Sequence, residues 1–172
     1  MKINVREIVL FGLLGGLMYV LQLMMEFLPN VHLNGVLIVA MTVVFRFKAL
    51  YPIYVYVFLE GVFSGFNVWW IPYLYIWAPL WGLTMLLPKT LPEKVKPFVY
   101  ACISALHGFL FGILYSPAEA LFSGLDVNGW IVWMLRGLGF DAIHGVSNFV
   151  WGFLTIPAIK LFEYAKKLLQ IK

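Results

Sequence analysis

Long apolar runs separated by short polar gaps fill almost the whole chain. The runs cover residues 8–28, 33–47, 49–65, 71–88, 97–116 and, after an interrupted stretch, 137–163. About 20 helical residues cross the hydrocarbon core of a bilayer, and somewhat fewer suffice where flanking side chains reach the interface. The pattern therefore predicts six transmembrane helices. We expect an all-α integral membrane protein in which residues 1–172 form one membrane domain, a six-helix bundle.

The composition supports this class. The chain is 63% hydrophobic and 12% charged, with a mean hydropathy of +0.91, whereas soluble domains average about 45–50% apolar and 25% charged residues. Six spans would use nearly all of the chain, so no soluble catalytic domain is expected. The first run is longer than the apolar core of a signal peptide and lacks a small-residue cleavage site, so we expect it to be retained.

The distribution of Lys and Arg predicts the orientation. With the N-terminus inside, eleven of the twelve cationic residues become cytoplasmic, and only Arg136 falls outside. This arrangement agrees with the bias of Lys and Arg toward short cytoplasmic loops, so both termini are predicted to be cytoplasmic. The outer loops, residues 28–34, 64–72 and 116–130, contain no Lys or Arg and are rich in Trp, Asn, Pro and Gly. The cytoplasmic set is Lys2, Arg6, Arg46, Lys48, Lys89, Lys94, Lys96, Lys160, Lys166, Lys167 and Lys172.

Most polar side chains predicted at membrane depth lie in the outer half. Such residues are costly in a bilayer and usually face the bundle interior or a wet cavity. Because the inner half is nearly dry, the pattern favours a one-sided outward pocket over a proton or ion pathway. Asp141, His144 and Asn148 share one helix face, where they either contact a ligand or cross-link helices. The predicted substrate-binding residues are Glu26, His32, Asn34, Glu60, Asn67, Trp69, Trp70, Tyr73, Tyr75, Arg136, Asp141, His144 and Asn148.

The charges of this outer region constrain the ligand. Five carboxylates face one guanidinium, that of Arg136, which favours a cationic or donor-rich ligand unless burial protonates some of the acids. Tyr73, Tyr75 and the Trp69–Trp70 pair offer flat surfaces for stacking, although the two Trp residues could instead belong to the interfacial aromatic belt. The preferred ligand is a planar heterocycle. The five carboxylates are those of Glu26, Glu60, Glu119, Asp126 and Asp141.

Small residues occur at two places where helices could approach closely. Gly12 and Gly16, with Gly15 beside them, lie in the inner half of the first span at Gly-x-x-x-Gly spacing. They could contact a partner protein or a neighbouring helix of the same chain. In the fifth span, Ser104, Gly108 and Gly112 repeat every fourth position beside His107, which favours a helix contact and a helix-bonding role for that histidine.

Three features combine into a family resemblance: the size with six predicted spans and both ends inside, the Gly12 and Gly16 pair, and two longer segments. The segments run from Leu33 to Gly65 and through FDAIHGVSNFVWGF at residues 140–153. Along nearly its full length the chain resembles the substrate-binding (S) components of energy-coupling factor vitamin transporters.

This resemblance implies a binding subunit that captures a micronutrient in an outward-facing pocket. It implies docking through the first helices, at Gly12, Gly15 and Gly16, onto a transmembrane coupling protein driven by two cytoplasmic ATPases, in a bacterial or archaeal cytoplasmic membrane. The chain has no GxxxxGK[ST] phosphate loop, so ATP hydrolysis is expected in the partners and this chain is not expected to be an enzyme. Neither a cofactor, a metal nor a nucleic-acid partner is expected.

Two other classes stay open. A small intramembrane enzyme could use Glu60, Asp141, His144 or His107 for acid–base or metal chemistry, since Asp-x-x-His can place two ligands on one helix face. No HExxH or nucleophile motif accompanies these residues. A proton-coupled carrier is the other alternative, against which stand the dry inner half and the lack of a detectable inverted repeat.

Overall fold

The predicted apolar runs form helices throughout. The computed structural model describes residues 3–88 and 90–171, which are 80% helical and contain no strand. The cationic residues Lys2, Lys89 and Lys172 lie outside these ranges. The α-helices are α1 (Val5–Met25), α2 (Asn34–Phe45), α3 (Leu50–Ser64), α4 (Tyr73–Leu86), α5 (Lys96–Phe109), α6 (Phe111–Phe122), α7 (Val127–Gly152) and α8 (Thr155–Leu168), with 3₁₀ helices at Arg46–Ala49 and Val68–Trp70.

Local sequence signals explain several helix ends. Asn4 caps α1 by accepting the Glu7 N–H at 2.9 Å, and the Glu7 carboxylate accepts the Asn4 N–H at 3.0 Å, a capping box. Asp126 caps α7 by accepting the Gly129 N–H at 2.7 Å. Between α2 and α3, Arg46 has a φ of 55°, so the chain leaves the helical path at that residue.

Helix α2 lies at the centre of the bundle. Nearly all of its side chains are buried, and it contacts α4 and α8 most extensively, with further contacts to α1, α5 and α7. The closest outer pairs are α5 with α7 and α1 with α3. Outward-facing positions are mostly apolar, such as Leu13, Phe27, Leu86 and Leu161, each more than half exposed. Apolar exposure on this scale is typical of a membrane protein rather than a soluble domain.

Three helical segments are long and apolar enough to cross a membrane: Val5–Met25, Asn34–Ser64 and Lys96–Phe122. Helices α7 and α8 pass the same criterion as a pair and are bent by 57° at their junction, so the described residues contain three or four candidate spans by length and composition. That the chain crosses the membrane six times, with both termini in the cytoplasm, remains a prediction. One predicted feature differs: residues 116–130, expected to be a loop, are largely helical, because α6 continues to Phe122 and α7 begins at Val127.

Basic side chains gather at one end of the bundle, which we call the basic end. There Lys48 forms an ion pair with Glu7, the Arg6 guanidinium donates to the Leu169 carbonyl at 3.1 Å, and that of Arg46 donates to the Met85 carbonyl at 3.0 Å. These contacts join the start of α1, the α2–α3 turn and the ends of α4 and α8. The opposite end, where α1 meets α2 and α3 meets α4, is called the polar end.

Candidate ligand-binding site

Five rings, each from a different part of the chain, form a cluster in the polar half of the bundle. Trp77 of α4 lies 6.1 Å from His32, which precedes α2, and 5.6 Å from His107 of α5, measured between ring centroids. His144 of α7 lies 4.5 Å from His32 and 4.7 Å from Phe111 of α6. We call these five residues the histidine–tryptophan cluster. It brings together three histidines that are far apart in sequence.

The cluster is buried but its polar atoms are poorly satisfied. His107 uses Nε2 to contact the Ile76 carbonyl at 2.8 Å, while its Nδ1 has no hydrogen-bond partner among the described residues. The same holds for His32 Nδ1, Trp77 Nε1 and both ring nitrogens of His144. A buried polar group without a partner costs about 1–3 kcal/mol, and most such groups in proteins are satisfied. So many in one place indicate a site that a ligand's polar groups can complete.

Neutral histidines fit this environment. Burial lowers the pKa of His32, which lies between α1 and α2, to about 4, and the nearby His107 acts in the same direction. At neutral pH the His32 ring is therefore uncharged, with one nitrogen that can donate and one that can accept. Such rings suit hydrogen bonding to a neutral, flat molecule and also stacking against it.

A second group of unpartnered atoms extends from the cluster toward α1 and α3. Tyr56 lies 5.8 Å from Trp77 between ring centroids, and Glu60 follows it by four residues on the same face of α3. Asn34 donates from Nδ2 to Gln22 Oε1 at 3.1 Å. Within the described part of the chain, Asn34 Oδ1, the Tyr56 hydroxyl and Glu60 Oε1 have no hydrogen-bond partner.

An open cavity of about 650 Å³ between α6 and α7 adjoins the cluster. Arg136 and Asp141 are its two charged lining residues. The Asp141 Oδ1 accepts the Gly112 N–H at 2.9 Å, and the rings of Tyr115 and Trp133 are parallel to within 6° at 6.0 Å. Phe111 lines the cavity and its ring also packs beside that of His144, so this residue connects the open cavity to the buried histidines. The excess of carboxylates that the sequence predicts around the ligand does not occur in this cavity, because one acid and one base line it.

Close packing of α5 against α7 positions two of the histidines. A Cβ placed on Gly108 would lie 2.8 Å from backbone atoms of His144 and Gly145, so the helices touch through their backbones. The amide of Asn148 donates to the Ser104 carbonyl at 3.2 Å. Of the two roles left open for Asn148, the structure gives it the helix-linking contact. His107 and His144 are consequently held on two helices with little freedom to separate.

Other predicted residues lie elsewhere at the polar end. Glu26 and Glu60 line a separate small cavity between α1 and α3. The Trp70 indole N–H donates to the Val57 carbonyl at 2.7 Å, and the Asn67 side chain accepts the Val68 N–H at 2.7 Å. These contacts make the two residues structural parts of the α3–α4 connection.

The remaining aromatic residues of the predicted set differ in how close they come to the cluster. Tyr73 lies 5.8 Å from Trp77 and 5.6 Å from Trp69, so this tyrosine and, behind it, Trp69 border the cluster. Tyr75 is 37% exposed, on the outer side of α4. Tyr73 and Trp69 thus belong to the same neighbourhood as the histidines, whereas Tyr75 does not.

Sequence reasoning missed four of the residues that build the site. Trp77, Tyr56, Phe111 and Tyr115 are not among the predicted substrate-binding residues. Trp77 follows Tyr73 by four residues, and Tyr56 precedes Glu60 by four, so helical spacing from a predicted site residue was the available signal.

The glycines of α1 divide into two groups. A Cβ on Gly15 would lie 2.6 Å from Val55 and 2.8 Å from the Pro52 carbonyl, so Gly15 is used where α1 packs on α3. For Gly12 and Gly16, no described atom lies within 4 Å of the corresponding Cβ position outside the local helix. These two glycines therefore form an open stripe on the half of α1 nearer the basic end.

Comparisons with protein family models, with curated proteins and with solved structures found no significant match. Among the described residues, no group of three or more His, Cys, Asp or Glu side chains is arranged to hold a metal ion. The function is therefore argued from the geometry of the site.

Proposed function

We propose that this chain is the substrate-binding membrane subunit of an energy-coupling factor importer, which captures a vitamin-like micronutrient, a planar heterocycle, at the polar end of the bundle. The observation that carries the proposal is the set of unpartnered buried nitrogens of His32, Trp77, His107 and His144 behind an open cavity. A flat ligand passing Phe111 would stack on these rings and satisfy their hydrogen bonds.

The size of the cavity supports a small ligand. Pockets for small molecules typically measure about 300–1,000 Å³ and combine apolar walls with a few polar groups. The α6–α7 cavity, at about 650 Å³, has aromatic walls with Arg136 and Asp141 as its charged groups. The ligand would be oriented by these two side chains and by the histidines.

The direction of the helices supports six membrane passes with both termini on one side. Contacts at the basic end join the start of α1 to the α2–α3 turn and to the residues after α8, while Asn34 and Gln22 join α1 to α2 at the other end. With the basic end in the cytoplasm, as the Lys and Arg pattern predicts, the site opens outward.

The open stripe at Gly12 and Gly16 supports docking onto a transmembrane coupling protein, since small residues let another helix approach closely. A Cβ at either position would meet no described atom within 4 Å outside the local helix, so a Leu side chain can start there and cover the stripe. Gly12→Leu and Gly16→Leu are expected to keep ligand binding by the isolated subunit and to abolish uptake in cells. Normal uptake by both variants would contradict the docking assignment.

Ligand retention tests the binding function. Protein purified from cells grown in rich medium should carry one small heterocyclic molecule per chain in native mass spectrometry, released unchanged on unfolding. Turnover of an added lipid or peptide by the purified chain, with no retained ligand, would favour the intramembrane enzyme. ATP-dependent accumulation of the identified molecule, only when the coupling protein and ATPases are co-expressed, would establish the importer.

A further inference from the structure

Arg136 is the one arginine that the described residues leave without a partner. At the basic end, the guanidinium groups of Arg6 and Arg46 each donate to a backbone carbonyl. The side chain of Arg136 donates no hydrogen bond to a described residue, and neither of the two ion pairs within the described ranges includes it. Its five N–H donors and its positive charge are therefore available to a bound molecule.

Arg136 lines the α6–α7 cavity on an aromatic face of α7. Trp133, three residues before it, and Phe140, four residues after it, line the same cavity and share its helix face. The side chain of Arg136 is exposed, so a molecule that enters the cavity can reach it. Apolar walls lower the local dielectric constant, which strengthens the attraction between opposite charges. An unpaired cation in this position favours an anionic group on the molecule that fills the cavity.

The cavity leaves room beside this cation because the next residue is a glycine. Gly137 also lines the cavity, and a Cβ placed on it would meet no described atom within 4 Å outside the local helix. The cavity volume of about 650 Å³ lies within the usual range of small-molecule pockets, about 300–1,000 Å³. A flat ring with a charged substituent can therefore fit next to Arg136.

Asp141, the acid of the same cavity, already has a structural partner. Its Oδ1 accepts the Gly112 N–H at 2.9 Å. Gly112 is the second residue of α6, where backbone N–H groups have no acceptor within their own helix. Neither described ion pair joins Asp141 to Arg136. The carboxylate thus caps the start of α6, whereas the guanidinium has no comparable role within the described chain.

The charge of the cavity favours a carboxylate over a phosphate. Arg136 contributes one positive charge to the lining. A phosphate monoester carries about −1.5 to −2 charges at pH 7, which exceeds the charge of Arg136 and would be repelled by Asp141. A carboxylate carries one negative charge, and its two oxygens accept two parallel N–H bonds from a planar guanidinium. A planar acid with a single negative charge therefore matches this wall of the cavity.

We propose, on the basis of the micronutrient binding proposed above, that the molecule bound in the α6–α7 cavity is a planar heterocycle with a carboxylate substituent, and that Arg136 binds this carboxylate. Such a ligand differs from the cationic one that the five carboxylates of the outer region favour. Of those five, Asp141 alone belongs to the described lining of this cavity, and its Oδ1 is used to cap α6.

Release of the co-purified molecule tests this assignment on the full chain in detergent. The molecule is identified by tandem mass spectrometry, and its occupancy is followed in native mass spectra after transfer into buffer without it. The unmodified protein should carry a carboxylate-bearing heterocycle. Arg136→Gln should release it at least about tenfold faster, because hydrogen bonds to charged groups are worth about that factor or more in affinity and affinity changes at one site appear mostly in the dissociation rate. Arg136→Lys keeps the charge without the planar donor pair, so its release rate should be intermediate.

Gly137→Leu and Gly139→Leu form a matched pair that tests where the molecule lies. Neither Cβ would meet a described atom within 4 Å outside the local helix, but Gly137 lines the cavity and Gly139 does not. Gly137→Leu should therefore fill the space beside Arg136 and lose the molecule, whereas Gly139→Leu should retain it like the unmodified protein. Equal retention by the two variants would contradict the placement beside Arg136.

The outcomes separate this assignment from the binding function on which it rests. A retained heterocycle without a carboxylate, or equal release from the unmodified protein and from Arg136→Gln, would overturn the carboxylate assignment and leave the binding function in place. A phospholipid as the retained molecule would overturn the assignment by giving Arg136 a lipid headgroup as its partner. The absence of any retained molecule from the unmodified protein would contradict the binding function and the carboxylate assignment together.

Discussion

Replacing His144 by Phe separates the contribution of this residue to binding from its contribution to stability. The ring is 1% exposed and both of its nitrogens lack a partner among the described residues. Each unpartnered buried polar group costs about 1–3 kcal/mol, and Phe removes both while keeping a ring beside His32 and Phe111. The Phe ring is slightly larger than the imidazole that it replaces. Because the neighbouring Phe111 lines the α6–α7 cavity and can move into it, the cost of overpacking should be small. Removing both groups should therefore raise the free energy of unfolding of the ligand-free protein by about 2–6 kcal/mol, less the small cost of overpacking.

The assay is the free energy of unfolding of the ligand-free protein in detergent, followed by tryptophan fluorescence. Asn148→Leu is the comparison, because Asn148 is equally buried on the same face of α7 but its amide donates to the Ser104 carbonyl. Loss of that bond should destabilise the protein by about 1–2 kcal/mol. A destabilised His144→Phe variant, or a stabilised Asn148→Leu variant, would refute the inference that the His144 nitrogens are unsatisfied without ligand.

Three further predictions concern packing and charge. Gly108→Ala should destabilise the protein by about 1–3 kcal/mol, because its Cβ would meet the α7 backbone at 2.8 Å. Gly12→Ala should instead stabilise it by up to about 1 kcal/mol, because alanine has the higher helix propensity and its Cβ meets no described atom. Equal effects of the two substitutions in unfolding experiments would contradict the close contact between α5 and α7. Lys48→Ala should destabilise the protein by about 1–3 kcal/mol, because the buried Glu7 carboxylate loses its cation and keeps only its hydrogen bond from the Asn4 N–H; an unchanged melting temperature would argue against the pair. Burial lowers the pKa of His32 from 6.5 to about 4, so between these pH values the histidine is protonated in the unfolded chain and neutral in the folded protein. The free energy of unfolding should therefore fall as the pH drops from 6.5 to about 4. The fall should be smaller in His32→Gln, which has no imidazole to protonate. An identical pH dependence in both proteins would exclude this contribution.

The helical class and the separation of basic from polar residues could be predicted because both depend on local sequence. Apolar runs fix where helices form, and the positions of Lys and Arg between runs decide which helix ends they occupy. The Lys48–Glu7 and Arg6–Leu169 contacts at one end of the bundle follow that pattern. The number of membrane spans does not follow from the lengths of the helices, because α2, α3 and α4 are each shorter than a full crossing.

The composition of the site could be predicted only in part, because it depends on contacts between distant helices. His32 and His144 were identified as candidates, but their approach to 4.5 Å results from the packing of α7 near α2. Trp70 looked like a stacking surface from sequence, yet its indole N–H is used by the Val57 carbonyl. A sequence does not show which polar group a side chain satisfies, and this decides between structural and binding roles.

The central claim is that the unpartnered nitrogens of the histidine–tryptophan cluster exist to bind a small molecule. The most direct measurement is the occupancy of the co-purified small molecule in native mass spectra of the unmodified chain and of His144→Phe. The account predicts one ligand per unmodified chain and almost none in His144→Phe, although that variant is folded and more stable. Equal occupancy in the two proteins, or no retained molecule in the unmodified chain, would contradict it.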